Sequence, residues 1–170
     1  MVCLDVDNYE NAYKRILGGA AKAAQEGAGA CTVLMLVADD PDAICAARIL
    51  AWLLKQDNIA YKTVPIANYD DISRINEETI EKSTEVCPLS IVPAPGSVSV
   101  CALKTVVMLN CGSRIDFNDY LSMHDDMVAI VVDSHRPFNL YNIFYNEKVL
   151  HLDDGDISAL DEVKEAFEAL

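Results

Sequence analysis

Polar residues that can take part in chemistry follow three apolar runs of the chain. Residues 32–38, 105–109 and 127–132 lead respectively into Asp39-Asp40-Pro41-Asp42, into Asn110, and into Asp133-Ser134-His135. Carboxylate oxygens and imidazole nitrogens bind Mn²⁺ or Mg²⁺. The candidate ligands are Asp40, Asp42, Asp133 and His135. A two-metal hydrolase requires such a set, because two closely spaced cations must be neutralised and bridged.

Each candidate ligand also has a structural explanation. Asp40 precedes Pro41, a pattern typical of a helix N-cap followed by proline at the first helical position. Asp42 would then favour the positive end of the helix dipole. Asp133 can be a buried acid that accepts from backbone donors, and His135 a hydrogen-bonded core histidine. The case for one shared site rests on their common position at the ends of apolar runs.

Other kinds of catalytic site have less support in the sequence. Asp133, Ser134 and His135 are adjacent, and neighbouring side chains of an extended segment point to opposite faces, so a Ser-His-Asp triad is not expected. The chain has no G-x-S-x-G, P-loop or G-x-G-x-x-G motif. His124 and His151 are isolated, which favours surface or turn positions for both.

Composition describes an acidic chain with enough apolar residues for a substantial core. Its 170 residues are 52% hydrophobic and carry a formal net charge of −14. An acidic surface repels phosphate backbones and anionic membranes, so tight non-specific binding to duplex DNA is not expected. No apolar run approaches the ~20 residues that span a bilayer, and the N-terminus lacks a basic signal region, so we expect a soluble intracellular protein. The six cysteines form no C-x-x-C pair and are predicted to be reduced.

Apolar runs of strand length alternate with helical periodicity along the chain. Strands are predicted at 31–38, 61–66, 105–109 and 127–132, and helices at 8–26, 41–56, 70–82 and 116–121. The helix at 41–56 is apolar on nearly all sides and should be well buried. Residues 87–103 predict a loop insertion, 137–152 a hairpin, and 158–170 a last helix with a capping box. The alternation predicts an α/β fold, a parallel sheet with helices on both faces and ligands at the carboxyl ends of its strands.

The three polar segments resemble the motifs of the DHH superfamily of phosphoesterases, which includes the RecJ exonucleases. RecJ-type enzymes have D-x-D-x-D-G after the first strand, a single Asp after the third and D-H-H after the fourth. Here the first motif reads Asp40-Pro41-Asp42-Ala43-Ile44-Cys45, so Ile44 and Cys45 replace the third acid and the glycine. Asn110 replaces the single Asp, and Ser134 replaces the first histidine of D-H-H.

These departures closely resemble one branch, the amino-terminal part of the cell division control protein 45 family, over about residues 31–152. The resemblance implies a nuclear DNA replication factor in which this region is a non-catalytic scaffold domain. It implies assembly with the minichromosome maintenance ring and the GINS complex in the replicative helicase, no cofactor and no membrane partner. It further implies a DHH-like (RecJ-like) domain at 1–152 with an insertion at 87–103, an acidic helix at 153–170, and a second, DHHA1-type domain that is absent from this chain.

Missing ligands predict that two-metal binding is lost, because a dinuclear site needs nearly all of its ligands. The remnant of the site would comprise Asp40, Asp42, Asn110, Asp133, Ser134 and His135. Its acids are expected to be held by capping and hydrogen bonds, with Arg136 neutralising one of them. Candidate contacts to single-stranded DNA, expected to be weak and salt-dependent, are Arg48, Arg114 and Arg136.

Two alternatives to the scaffold interpretation stay open at this point. The first is an active, metal-dependent DHH phosphoesterase or single-strand exonuclease with a reduced site. The second is an unrelated doubly wound binding domain, because a fold does not by itself determine a function.

Overall fold

The computed structural model describes residues 3–4, 9–26, 31–81, 103–152 and 160–169 of the chain. Over these ranges the chain is an α/β structure built on one parallel sheet, as predicted. The helices within these ranges are too short or too polar to cross a membrane.

The sheet has six parallel strands in the order β1-β6-β5-β4-β2-β3. The strands are β1 (Cys3–Leu4), β2 (Val33–Ala38), β3 (Tyr61–Ile66), β4 (Thr105–Leu109), β5 (Val128–Val132) and β6 (Val149–Leu152). The helices are α1 (Tyr9–Gln25), α2 (Pro41–Gln56), α3 (Tyr69–Ile75), α4 (Phe117–Tyr120), α5 (Leu140–Phe144) and α6 (Leu160–Glu168). A π-helical turn, Asn76–Ile80, continues α3. The four predicted strands and the helices predicted at 8–26, 41–56, 70–82 and 116–121 are confirmed, with small differences at their ends.

Two apolar cores cover the two faces of the sheet. Alternate residues of a strand point to opposite faces, so Leu34 and Leu36 of β2 enter one core and Met35 and Val37 enter the other. The first core is closed by α3, the π-helical turn and α4, and the second by α1 and α2. All five residues of β4 are buried, as expected for a central parallel strand covered on both faces.

The predicted hairpin at 137–152 is wrong. Residues Leu140–Phe144 form α5, whose N-cap Asn139 accepts a hydrogen bond from the backbone N–H of Asn142 at 3.2 Å. Leu140, Ile143 and Phe144 have the i, i+3, i+4 spacing of a helix face, and the last two are buried. The segment Val149–Leu152 is a strand, but it pairs parallel to β5 rather than antiparallel to a hairpin partner.

Some predicted features lie outside the described residues. These are the insertion at 87–103, apart from Leu103, and Ser158 of the proposed capping box. The last helix is described from Leu160 onward. The sequence did not predict β1, which has two residues and pairs with β6 at the sheet edge.

The prediction that the helix at 41–56 is well buried is also wrong. One stripe of α2 contacts the sheet through Ala43, Ala47 and Leu54, which are at most 8% exposed. On its outer side Ile49 is 64% exposed and Trp52 is 61% exposed. The described helices leave this outer side uncovered, so it meets solvent.

His151 is buried within β6, in contrast to the expected surface or turn position. Its side chain is 1% exposed and packs against Phe138, with 5.7 Å between ring centroids. Its Nε2 atom has no hydrogen-bond partner among the described residues. Burial lowers the pKa of His151 to about 4, although the charge of Asp133 opposes this shift. The imidazole is therefore neutral in the folded protein at neutral pH.

We expect stability to fall between about pH 6.5 and pH 4 because of His151. Its pKa is near 6.5 in an unfolded chain and about 4 when folded. Over this interval the unfolded state binds more protons, so the free energy of unfolding decreases as the pH falls, by roughly 3 kcal/mol in total for this group. Urea unfolding across the interval measures the loss, and His151→Phe should remove most of it.

His124→Gln is the matched control for this prediction, because His124 is only half-buried and lies outside the strands. It should keep the pH dependence of the unmodified chain. If the His151→Phe variant showed the same pH dependence of stability as the unmodified chain, the loss of stability could not be assigned to His151.

Candidate functional site

A cleft of about 490 Å³ opens at the carboxyl ends of β2, β3, β4 and β5. All three polar segments singled out from the sequence contribute to its wall. Its polar lining consists of Asp39, Asp40, Asn68, Tyr69, Asn110, Arg114, Asp133 and His135. The cleft therefore lies where ligands bind in parallel α/β sheets.

Asp40 is both the N-cap of α2 and a wall of the cleft. Its Oδ1 accepts a hydrogen bond from the backbone N–H of Ala43 at 2.8 Å, and Pro41 follows at the start of the helix. The capping interpretation is thus confirmed, since the cap satisfies one of the free N–H groups at the helix start.

Asn110, at the end of β4, contacts Asp40, the N-cap of α2 that follows the neighbouring strand β2. Its φ of 56° lies in the left-handed region, which asparagine tolerates better than most residues. Its Nδ2 lies 3.2 Å from Oδ1 and 3.4 Å from Oδ2 of Asp40, so the amide donates to the carboxylate. A carboxylate at position 110 would be an acceptor facing another acceptor, whereas the neutral amide makes the contact favourable.

Asp133 is the most highly coordinated group in the cleft. Its Oδ2 accepts from the backbone N–H groups of Gly112 and Ser113 at 3.0 and 2.9 Å. Its Oδ1 accepts from the backbone N–H of His135 at 2.9 Å and lies 2.7 Å from the Nδ1 of the same residue. One carboxylate thereby joins the end of β5 to the loop that follows β4.

The hydrogen bonds to Asp133 determine its charge state. Burial alone would raise the pKa of this carboxyl group, but the donors from His135 and Ser113 outweigh it and lower the pKa below its ordinary value. Since an ionised carboxylate only accepts, Nδ1 of His135 must carry the proton in this pair. The imidazole, held by Asp133, is 58% exposed and lines the cleft.

The other predicted site residues do not line the cleft. Asp42 is exposed on the first turn of α2, and Ser134 is exposed beyond β5. Arg48 lines a separate groove between α2 and β3. Arg136 donates to the backbone carbonyl of Ser134 at 3.0 Å, and its guanidinium lies 3.8 Å from the centre of the Phe138 ring. Of the three arginines proposed to contact DNA, Arg114 alone lines the cleft.

Some residues at the cleft were not predicted from the sequence. Asn68 and Tyr69 follow β3, and Asn68 forms a capping box with Asp71. The sequence does contain a signal for these two residues, because Asn-x-x-Asp directly after a strand indicates a helix start at the same sheet edge. The backbone N–H groups of Gly112 and Ser113, which donate to Asp133, were also not predicted. A Cβ at position 112 would lie 3.1 Å from side-chain atoms of Met108 and Val131, so a larger residue there would require these neighbours to shift slightly.

Cys111 lies in the cleft but is not a nucleophile. Burial, followed by the negative charge of Asp133, raises the pKa of its thiol to about 12. Its Sγ lies 3.5 Å from the carbonyl oxygen of Leu36, to which the thiol donates. A thiol with this pKa stays protonated at neutral pH, and only the thiolate attacks.

A bound metal ion needs several donor side chains that point to one position. Among the described residues, no three His, Cys, Asp or Glu side chains are arranged to share an ion. Of the three acids that line the cleft, Asp40 caps a helix and contacts a neutral amide, Asp133 accepts four hydrogen bonds, and Asp39 is exposed.

Comparison with protein families identifies residues 33–170 as a match to the model described as CDC45. The cell division control protein 45 homolog of Schizosaccharomyces pombe is 35% identical over 150 residues, covering 88% of this chain and 20% of that protein. The homolog of Dictyostelium discoideum is 34% identical over 135 residues, covering 79% of this chain and 18% of that protein. The chain thus spans about a fifth of the length of these relatives.

A solved structure has the same fold. The crystal structure of CDC45 from Entamoeba histolytica superposes with a TM-score of 0.64 and 21% sequence identity. The match covers 89% of this chain and 25% of the other.

We expect Asp133→Asn to reduce the free energy of unfolding by roughly 2–4 kcal/mol, because a buried amide cannot accept from four donors. One orientation of the new side chain sets its NH₂ group against the backbone N–H groups of Gly112 and Ser113, and the other sets it against the backbone N–H of His135. Urea unfolding at pH 7 measures the effect. Asp39→Asn, an exposed acid in the same cleft, is the matched control and should stay within about 0.5 kcal/mol; equal stabilities of the two variants would refute the role of Asp133.

Proposed function

The chain belongs to the CDC45 family, and from that premise we propose that it is a non-catalytic scaffold domain of a DNA replication factor. We propose that it acts in the nucleus, within a replicative helicase assembly that includes the minichromosome maintenance ring and the GINS complex. The observation that carries the non-catalytic part is the saturation of Asp133 by four hydrogen-bond donors.

Saturation matters because a metal ion must compete for the same lone pairs. Two carboxylate oxygens offer about four acceptor positions, and Asp133 uses all of them within the protein. Metal binding would break hydrogen bonds that anchor the 110–113 loop. Asn110, being neutral, would contribute nothing to balancing the charge of two cations.

The same contacts support a structural role for the cleft. Asp40 fixes the start of α2, Asn110 links that start to β4, and Asp133 links β4 to β5. The ends of three strands are therefore held in one arrangement by side chains that in a hydrolase would bind metal. A rigid edge of this kind suits a surface on which other proteins assemble.

Charge favours proteins over DNA as the main partners. The chain has a net charge of −14, and within the cleft Arg114 is accompanied by Asp39, Asp40 and Asp133. Any contact to single-stranded DNA here should be weak and lost readily in salt.

We expect titration of Mn²⁺ to millimolar concentration to give no saturable heat, and single-stranded DNA to show no Mn²⁺-dependent hydrolysis, because the cleft acids are engaged within the protein. Calorimetry and a nuclease assay on the same preparation make both measurements. Asp40→Asn preserves an N-cap while removing the acid, and Asp39→Asn is its control. Turnover that is lost in the first variant and kept in the second would support the phosphoesterase alternative and overturn the proposal.

We also expect the chain to co-elute with the purified GINS complex or with the minichromosome maintenance ring in size-exclusion chromatography. A folded, unrelated protein of similar size and net charge is the control for purely electrostatic association. Binding to neither assembly would contradict the proposed partners for this region of the family, and would leave the metal result unaffected.

A further inference from the structure

The outer side of α2 exposes several large apolar side chains to solvent. Ile49 and Trp52 are 64% and 61% exposed, Ile44 is 48% exposed and Leu53 is 36% exposed. At 100° per residue, Ile49 and Trp52 project from the centre of the side opposite the buried stripe, and Ile44 and Leu53 lie at its two borders. We call Ile44, Ile49, Trp52 and Leu53 the α2 surface.

The α2 surface is bordered by positive charge. The helix carries Arg48 and Lys55 and the single acid Asp42, which lies in its first turn, while the chain as a whole has a net charge of −14. Both basic side chains are exposed, and neither forms an ion pair with any other residue that the structure describes. At 100° per residue, both lie between Ile44 and Trp52 around the helix, and Arg48 lines the groove between α2 and β3.

A groove beside the basic edge extends the surface toward the sheet. It has a volume of about 300 Å³ and lies between α2 and β3, the strand at the sheet edge. Its walls include Ile44, Ala51, Tyr61 and Pro65, and its charged lining residues are Arg48 and Asp39. The groove is thus able to receive a bulky apolar side chain next to Arg48.

We propose that the α2 surface docks an amphipathic helix of a partner protein whose apolar face is flanked by acidic residues. The apolar centre favours a helix laid along α2, because apolar anchors on such a helix recur at i, i+3, i+4 and i+7. The charges determine the kind of partner, since acids on the incoming helix would meet Arg48 and Lys55. A second copy of this chain is disfavoured, because two α2 surfaces would bring these cations together.

The docking proposal does not rest on the loss of metal binding. The α2 surface lies outside the cleft that contains Asp133, so the two can be tested separately. A chain that bound Mn²⁺ would overturn the non-catalytic role and leave the α2 proposal standing.

The test uses Trp52, the one tryptophan of the chain, as its reporter. A helical peptide of 16 residues, the length of α2, with leucines on one face and flanking glutamates is titrated into the 170-residue chain. Docking should shift the Trp52 emission to shorter wavelength in a saturable way. The same peptide with lysines in place of the glutamates should bind at least tenfold more weakly.

Variants locate the binding and its charge selectivity. Ile49→Ser should weaken binding of the acidic peptide at least tenfold, whereas Val163→Ser, an exposed aliphatic position on α6, should leave it unchanged. The double variant Arg48→Glu, Lys55→Glu should prefer the lysine-flanked peptide. Circular dichroism checks that each variant is folded.

Three results would overturn the proposal. The first is the absence of any shift in emission with the acidic peptide. The second is equal affinity for the two peptides, which would remove the charge argument. The third is a shift in Trp52 emission that depends on protein concentration in the absence of peptide and is accompanied by a dimer in sedimentation. That result would identify a second copy of the chain as the occupant.

Discussion

A buried carboxylate at the end of a central strand must find hydrogen-bond donors, and the cleft is arranged around this requirement at Asp133. The strand that carries it is covered on both faces, so solvent cannot solvate the charge fully. Gly112, Ser113 and His135 supply the donors, and a glycine at position 112 fits closely beside Met108 and Val131. The path of the loop after β4 follows from the need to keep one acid ionised.

The same residue types serve either metal binding or hydrogen bonding, and their immediate neighbours decide between the two. A carboxylate with free lone pairs attracts cations, whereas one that accepts backbone N–H groups is already neutralised by dipoles. The neutral Asn110 shifts the balance toward hydrogen bonding, because its amide donates to Asp40 where a carboxylate would repel it. A difference of a few atoms at the end of β4 therefore replaces a repulsive contact with hydrogen bonds to Asp40.

Much of this arrangement could be predicted from the sequence, because continuous apolar runs specify buried parallel strands and fix which residues follow them. Asp40, Asn110, Asp133 and His135 meet as their strand-end positions predicted. Arg48 and Asp42 do not, since their direction depends on the rotation of α2 about its axis, which a motif does not specify. The hairpin prediction failed at 140–152 for a related reason. Short apolar segments fit a helix face and a strand almost equally well, and pairing of β6 with β5 decides the outcome.

The exposure of α2 follows from the same geometry that buries the strands. A helix lying on a sheet can bury only one stripe, so a helix that is apolar on nearly all sides must leave part of its apolar surface in solvent or find a second layer. In the described part of the chain no second layer covers the outer side of α2, and Trp52 and Ile49 stay exposed. Exposed apolar area of this kind favours association, and in a chain of net charge −14 the basic residues beside it select the sign of the partner. The apolar residues on the outer side of α2 do not pack against the sheet. Docking of a partner thus explains them better than the stability of this fold does.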